Sequence, residues 1–252
     1  MFQKHSTTTF IAAAISAIIS GAAVYAALTY LPPGGAGSDF DIAVHDYLVE
    51  HPEVLIEMEQ VLAARQETEQ QLARQQALDS IGVDALLDPA IAYVNGPDDA
   101  AVTVIEFFDY RCGFCKASLP AMKSALAGNS DVRFAFVEYP ILTDDSLVAA
   151  QAAVASRRQE GMYMPFHFAL METQGDLPLE RILSIAESVG IDIAQLEIDM
   201  QDPVILENIE ASYDLAQNLR VNGTPTFVIN SQIVVGQVSE EQLFSYIQQN
   251  RS

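Results

Sequence analysis

The chain has 252 residues, with 34 acidic and 12 basic side chains, a formal net charge of −22 and two cysteines. Half of the residues are hydrophobic, so the sequence can bury a core and is not a disordered acidic tail. The acidic balance excludes a nonspecific nucleic-acid binder, which needs a basic footprint, and no nucleic-acid partner is expected. Two cysteines exclude a disulfide-rich scaffold and leave a redox pair, one structural bridge or half of a metal site.

The N-terminal segment predicts export. Residues 10–31 carry no charged side chain, are mostly apolar and are long enough to span a bilayer as a helix. Lys4 precedes them, so residues 1–31 are interpreted as a signal peptide cleaved after Ala26 or as a signal anchor. The uncleaved anchor is slightly favoured, because the apolar stretch continues beyond the candidate cleavage site. Residues 32–37, PPGGAG, are interpreted as a linker.

Residues 38–82 are predicted to form a helical arm. A short helix is expected to run to about Glu50, and Pro52 should open a second helix that reaches about Ser80 and ends at Gly82. Five apolar residues and one histidine follow alternating steps of four and three, as in a coiled-coil seam: Val44, Leu48, His51, Leu55, Met58 and Leu62. The pattern leaves two alternatives open, which are packing on the following domain and pairing with copies of the chain.

A buried strand followed by a Cys-x-x-Cys motif marks the catalytic domain. Residues 102–108 are β-branched and aromatic, as in a buried strand, and Cys112 and Cys115 follow ahead of a predicted helix. A cysteine at a helix start lies among unpaired N–H groups at the positive end of the helix dipole, which lowers its pKa. Cys112 is therefore the predicted nucleophile, and Cys115 the more buried resolving thiol. Arg111 and Lys116, which flank the motif, are expected to stabilise the thiolate further.

Three other roles compete for the two cysteines. A structural bridge across so short a loop would constrain the unfolded chain little. A tetrahedral zinc site needs two more ligands, and the chain offers only isolated histidines. Two reduced cysteines in a core are common, but thiols in an exported chain tend to oxidise. The redox pair is the favoured interpretation.

The C-terminal segment completes the pattern of an α/β protein. Residues 224–230, TPTFVIN, are typical of a turn and a strand, and residues 233–236 of a second strand. Ser239 is the predicted cap of a last helix. Strand–helix–strand at one end and hairpin–helix at the other form the skeleton of a thioredoxin fold.

Two motifs resemble the DsbA-type thiol–disulfide oxidoreductases. They are EFFDYRCGFCK at residues 106–116 and NGTPTFVIN at residues 222–230. The sequence DYLVEHPEVL at residues 46–55 is similar to the N-terminal region of the suppressor-of-copper-sensitivity ScsC branch, in which the arm can mediate oligomerisation. The resemblance implies a DsbA-like thioredoxin domain over residues 83–252, with a helical insertion at about 143–221.

The resemblance implies roles for the matching residues. Pro225 would be the cis-proline that faces the disulfide, with Thr224 before it, and an extended substrate could pair with the backbone there. Glu106 falls where the family often has a buried acid, which implies a proton relay to Cys115; the alternative is a partly solvated glutamate at a strand end. No cofactor is expected beyond the redox-active disulfide between Cys112 and Cys115.

The implied function is a periplasmic oxidoreductase that forms or isomerises disulfides in exported proteins. It would work at the periplasmic side of the inner membrane, anchored by residues 10–31 or released, with a membrane redox partner protein. The isomerase mode is slightly favoured, since Gly113 and Phe114 replace the Pro-His of the dedicated oxidase and a homo-oligomer through residues 38–80 would cluster active sites. The alternative is a Cu(I)-binding, copper-tolerance protein that uses both thiolates.

Methionine and aromatic residues recur within the predicted insertion. Those at positions 162–171 are interpreted as core in preference to a peptide-binding groove: Met162, Met164, Phe166, Phe168 and Met171. His167 is interpreted as a packed or hydrogen-bonded histidine.

Overall fold

The computed structural model describes residues 35–251, with side chains from residue 39 onward. The predicted signal or anchor segment therefore lies outside the described residues. Within the described range, no helix combines the length and apolarity that a bilayer span requires. The chain divides into two compact units, one ending at Arg65 and the other beginning at Gln66.

From residue 35 onward, two α-helices precede the sheet, α1 over Gly35–Glu50 and α2 over Glu53–Ile81, and a short 3-10 helix follows over Val83–Leu87. Helix α1 begins inside the predicted linker at residues 32–37, so the last three linker residues are helical. The N–H groups in the first turn of any helix have no hydrogen-bond partner within that helix. A poor helix former such as glycine therefore destabilises a helix least in its first turn. Helix α2 ends at Gly82, whose φ of +80° suits glycine, as predicted.

The apolar stripe of the arm is exposed in the single chain. The exposed fractions are 40% for Val44, 57% for Leu55, 59% for Met58 and 56% for Leu62. Further exposed apolar side chains lie on the same two helices, namely Phe40, Ile42, Tyr47, Val49, Ile56 and Val61. So much apolar surface in one segment is typical of an interaction surface.

The end of α2 belongs to the second unit. Arg74 and Leu78 are buried, and Arg74 Nε donates a hydrogen bond to the carbonyl oxygen of Arg220 at 3.1 Å. The division of the chain thus falls within the predicted arm and not at Gly82.

The second unit is built on a five-stranded sheet. Its strands are β1 (Ala92–Asn95), β2 (Val102–Phe108), β3 (Val132–Glu138), β4 (Thr226–Ile229) and β5 (Gln232–Val235), in the order β1-β3-β2-β4-β5. Strands β2 and β3 are parallel, and the other neighbours are antiparallel. Helix α3 (Gly113–Gly128) connects β2 to β3, and α9 (Glu240–Gln249) follows the β4–β5 hairpin. The predicted thioredoxin-like fold is confirmed.

Five helices form the insertion between β3 and β4. They are α4 (Asp144–Ser156), α5 (Tyr163–Glu172), α6 (Leu179–Ser188), α7 (Ile193–Met200) and α8 (Pro203–Asn218). Side chains of Thr143, Asp192 and Asp202 cap three of them. The predicted helical insertion is confirmed. Phe166 and Met171 are buried, and Met162, Met164 and Phe168 are partly buried against the same cluster, which confirms their interpretation as core. His167 is buried, as expected of a packed histidine.

Alternation along β2 assigns its side chains to two cores. Val104 and Phe108 belong to the cluster that contains both cysteines, whereas Ile105 and Phe107 belong to the cluster on the other face. Because side chains along a strand alternate, Glu106 points to the same face as Val104 and Phe108. The strand therefore directs one carboxylate toward the side of the sheet that carries the cysteines.

Candidate active site

Cys112 is the N-cap of α3, where its backbone is extended (φ −74°, ψ 116°). Its Sγ atom accepts a hydrogen bond from the N–H of Cys115 at 3.4 Å. The surroundings of Cys112 lower its pKa to about 6. The hydrogen bond with the Cys115 thiol lowers the pKa most, and the Thr224 side chain and the N–H groups of Cys115 and Phe114 lower it further. Burial acts in the opposite direction and raises the pKa. The sulfur is thus an anion at neutral pH.

Cys115 has the opposite environment. Its side chain is fully buried, against 5% exposure for Cys112, and both cysteines are free thiols. Burial, followed by the hydrogen bond with Cys112, raises the pKa of Cys115. Two thiols one helical turn apart therefore have different protonation states at neutral pH.

The segment before β4 lies against the first cysteine. The Thr224–Pro225 peptide bond is cis, and in its protonated form the Cys112 thiol donates a hydrogen bond to the Thr224 carbonyl oxygen at 3.2 Å. The Pro225 carbonyl oxygen accepts from the N–H of Gly236 at 2.9 Å, which ties the segment to the end of β5. The fold thus brings together Cys112, Cys115, Thr224 and Pro225, which are far apart in the sequence.

Glu106 is a buried carboxyl group on the same side of the sheet. It is 2% exposed, and its Oε1 atom has no hydrogen-bond partner among the described residues. Burial, and then the negative charge of Cys112, raises the pKa of Glu106 to about 8. Glu106 in turn contributes to the raised pKa of Cys115. The structure therefore places this acid within electrostatic reach of both thiols, and it is not a solvated strand-end residue.

The two cations that flank the motif bind the insertion. The Arg111 guanidinium donates to the carbonyl oxygen of Gly175 and to Asp176 Oδ1, the latter at 2.5 Å. Lys116 Nζ donates to the carbonyl oxygens of Leu170 and Thr173. The main contributions to the low pKa of Cys112 come from the groups around its sulfur and not from these cations. Both side chains are thus engaged in hydrogen bonds with the insertion, and the expectation that they also stabilise the thiolate stays a prediction.

A polar network lies beneath the turn that carries Cys112, and the sequence interpretation missed it. Tyr110 and Tyr163 both donate hydroxyl hydrogen bonds to Glu138 Oε1, at 3.2 and 3.0 Å. The Tyr110 oxygen also lies 3.1 Å from His167 Nδ1, and the Arg157 guanidinium lies 5.1 Å from the centre of the Tyr163 ring. Burial raises the pKa of Glu138 to about 8 and lowers that of His167 to about 3. The sequence did contain one sign of this network, which is a glutamate at the end of an apolar strand.

Phe114, between the two cysteines, is 65% exposed. An aromatic side chain in this position gives the surface beside the reactive sulfur an apolar character. Among residues 39–251, no group of three or more His, Cys, Asp or Glu side chains is arranged to hold a metal ion.

Comparison with known families assigns both parts of the chain. The family described as DSBA-like thioredoxin domain matches residues 103–248, and the family described as copper resistance protein ScsC N-terminal domain matches residues 38–69. The first match covers more than half of the chain and includes the Cys112 motif and Pro225.

Solved structures resemble the same two parts. A thioredoxin-like oxidoreductase from Silicibacter pomeroyi DSS-3 is 40% identical and superimposes with a TM-score of 0.63 over 68% of this chain and 98% of that chain. Proteus mirabilis ScsC in a transitional conformation is 25% identical, with a TM-score of 0.63 over 88% of this chain and 98% of that chain.

Curated relatives include proteins of different length. Disulfide bond formation protein D of Bacillus subtilis is 29% identical over 56% of this chain and 68% of its own length. Na(+)/H(+) antiporter NhaA 1 of Salinispora arenicola is 32% identical over 62% of this chain, which spans about a quarter (24%) of the antiporter's length. The match to residues 103–248 and the Silicibacter structure together show that the chain belongs to the family of DSBA-like thioredoxin domains, with an ScsC-type N-terminal segment.

Proposed function

We propose that the protein is a thiol–disulfide oxidoreductase whose nucleophile is the Cys112 thiolate. The observation that carries the proposal is the opposite displacement of two pKa values within one motif, down to about 6 for Cys112 and upward for Cys115. At neutral pH the less buried sulfur is an anion and the fully buried one holds its proton. This asymmetry favours attack by Cys112 and later resolution by Cys115.

The exchange runs through a mixed disulfide. The Cys112 thiolate attacks one sulfur of a substrate disulfide, forms an S–S bond with it and releases the other substrate sulfur as a thiolate. Deprotonated Cys115 then attacks Cys112 Sγ, which closes the Cys112–Cys115 disulfide and releases a fully reduced substrate. In the oxidase direction the same steps run backwards. In the isomerase mode the released substrate thiolate attacks another substrate disulfide and Cys112 is regenerated without net redox change.

Glu106 is proposed as the proton acceptor for Cys115. Resolution requires the buried thiol to lose its proton, and a carboxyl group with a pKa of about 8 exchanges protons near neutral pH. Its Oε1 atom, which has no hydrogen-bond partner in the described part of the chain, and its electrostatic influence on Cys115 support this assignment. A carboxylate would otherwise be an expensive residue at the centre of an apolar strand.

We further propose that the substrates are exported proteins with thiols or disulfides and that the chain acts on the periplasmic side of the inner membrane, with a membrane redox partner protein. The apolar, uncharged residues 10–31 support export. The exposed apolar stripe of α1 and α2 supports self-association through the arm. Several active sites on one oligomer would engage a single misfolded chain together, which favours the isomerase mode.

The trapping experiment tests the nucleophile. Cys115→Ser removes the resolving thiol, so mixed disulfides with exported proteins should accumulate on Cys112 and disappear on reduction. The matched control carries Cys112→Ser and Cys115→Ser together and should trap nothing. A single variant that forms no adducts in an exported-protein extract would refute the oxidoreductase assignment.

Refolding of ribonuclease separates the two modes. The isomerase mode predicts that the reduced protein restores activity to scrambled ribonuclease. The oxidase mode predicts that the oxidised protein acts on reduced ribonuclease and that scrambled ribonuclease is not recovered.

A Cu(I)-binding protein is the second candidate. The family that matches the N-terminal segment is described as a copper resistance protein domain. In addition, two neighbouring thiolates are soft ligands that suit Cu(I). Titration of the reduced protein with Cu(I) in competition with a chelator tests this function. Two results together would favour the copper-binding function. The protein would bind Cu(I) tightly and stoichiometrically in a way that the double cysteine variant does not, and the trapping experiment would yield no adducts.

A further inference from the structure

The three residues between β2 and Cys112 are each held by side-chain hydrogen bonds. Asp109 accepts hydrogen bonds from Ser146 Oγ at 2.8 Å and from the N–H of Leu142 at 3.0 Å. Arg111 binds Gly175 and Asp176, in the exposed loop between α5 and α6. Tyr110 lies between them, and its hydroxyl also makes buried hydrogen bonds.

Tyr110 is fixed at both ends of its side chain. It is 1% exposed, and its ring packs edge-on against Phe108 at 5.1 Å between centroids. Its hydroxyl donates to Glu138 Oε1 at 3.2 Å and lies 3.1 Å from His167 Nδ1. Since one residue separates Tyr110 from Cys112, an anchored Tyr110 restricts where the helix N-cap can lie.

Tyr163 offers a comparison within the same network. Its hydroxyl donates to the same Glu138 Oε1 atom, at 3.0 Å, and it is also 1% exposed. It lies on α5 of the insertion, where Arg157 covers its ring, and not on the turn that carries the nucleophile. The two phenols therefore make equivalent bonds to one carboxyl group, but only one is joined through the backbone to the reactive segment.

We propose that Tyr110 is a positioning residue for Cys112, held by Glu138 and His167, which fixes the N-cap so that Sγ stays near the Cys115 N–H and the Thr224 carbonyl oxygen. The inference rests on Cys112 as the nucleophile of the proposed exchange. Without the Tyr110 hydroxyl, the turn gains freedom, and the hydrogen bond from the Cys115 N–H to Cys112 Sγ, which favours the thiolate, is populated for less of the time.

The matched pair Tyr110→Phe and Tyr163→Phe tests the proposal. Each variant loses one hydroxyl that donates to Glu138, and Tyr110→Phe also loses the contact with His167 Nδ1, so its loss of thermal stability should be at least as large as that of Tyr163→Phe. On the reduced full chain, the pH profile of alkylation by iodoacetamide measures the reactivity of Cys112. We expect the midpoint to rise by about 0.5 to 1 pH unit in Tyr110→Phe, which lowers the rate at pH 5 about threefold to tenfold. Tyr163→Phe should keep the wild-type midpoint.

Two results would overturn the positioning role. Wild-type midpoints in both variants would show that the hydroxyl serves stability alone. An equal rise of the alkylation midpoint in both variants would show that the pKa of Cys112 responds to Glu138 and not to the position of Tyr110.

A second pair of variants keeps the test open if Tyr110→Phe does not fold. Glu138→Gln retains an oxygen that can accept from Tyr110, whereas Glu138→Leu removes the acceptor at similar volume. The proposal expects a raised midpoint in the leucine variant and the wild-type midpoint in the glutamine variant. A wild-type midpoint in both would contradict it.

The alkylation readout is independent of protein substrates. If Cys115→Ser traps no exported protein while Tyr110→Phe still raises the midpoint, the proposed function fails and the positioning role stands. If trapping succeeds while the midpoint is unchanged, only the positioning role fails.

Discussion

The Cys112 thiol donates a hydrogen bond to the carbonyl oxygen of Thr224 across 3.2 Å, although 112 positions separate the two residues. Cys112 caps the helix after β2, and Thr224 precedes β4, which pairs with β2 on the sheet. A substrate that reaches the sulfur consequently also reaches the backbone beside the cis-proline. This arrangement suits an extended peptide, which can hydrogen-bond to exposed backbone as an added strand.

The reactivity of Cys112 should follow its low pKa. Alkylation of the reduced protein is expected to rise with pH around a midpoint of about 6, well below that of an ordinary thiol. Cys115→Ala should raise this midpoint, because the Cys115 thiol makes the largest stabilising contribution. Alkylation rates followed by mass spectrometry give both values. An unchanged midpoint in the variant would assign the low pKa to Thr224 and the backbone N–H groups.

Replacement of the buried acid should change both stability and resolution. The pKa of Glu106 is about 8 in the fold and about 4.5 in the unfolded chain, so its protonated form is preferred on folding. This contribution to stability is complete below pH 4.5 and is lost as the pH rises through 8. Glu106→Gln should therefore gain free energy of unfolding relative to the wild type across that range, on the order of 4 kcal/mol at pH 9.

Urea unfolding of the reduced proteins at several pH values measures the Glu106→Gln effect. Glu210→Gln, on an exposed face of α8, is the control and should show no such trend. The rate at which Cys115 resolves a preformed mixed disulfide should fall in Glu106→Gln, as expected for a lost proton acceptor. A wild-type resolution rate would restrict Glu106 to an electrostatic role.

Ser118 holds α3 to the segment before α9. Its buried hydroxyl donates to the carbonyl oxygen of Phe114 and accepts from the buried N–H of Val238, both at 3.1 Å. Ser118→Ala leaves this N–H without its acceptor, and we expect a loss of about 1–3 kcal/mol in the free energy of unfolding. The exposed Ser245→Ala should change it by less than about 0.5 kcal/mol. Equal losses would contradict the role of the buried bond.

The exposed stripe of the arm predicts self-association. Replacement of Leu55, Met58 and Leu62 by glutamine should reduce the molar mass in light scattering to that of a monomer, because it removes apolar surface that association would bury. A matched variant with alanine at Gln60 and Glu67 should keep the wild-type mass. If the wild-type chain is itself monomeric, the self-association proposal is contradicted.

A truncation of the arm is best ended at Arg65. Arg74 and Leu78 are buried in the second unit, so a deletion to residue 80 would remove part of its core. The shorter deletion therefore separates loss of association from loss of folding.

Local patterns predicted much of the fold and the central site residues. The β-branched run before Cys112 and the cap at Ser239 are contiguous signals, and each element formed where these signals predicted it. Strand β1 has only four residues and was missed.

The Glu138 network joins residues 25 and 28 positions apart, and its geometry depends on the folded sheet and insertion. The directions of Arg111 and Lys116 depended on carbonyl groups more than 50 positions away.

The exposed ring of Phe114 makes the redox state accessible to optical measurement. The chain contains no tryptophan, so Phe114→Trp would introduce a single indole between the two sulfurs, at a position with room for a larger ring. Its fluorescence would report the opening and closing of the adjacent disulfide without background from any other indole. Each step of an exchange reaction could then be timed by the light emitted beside the bond that changes.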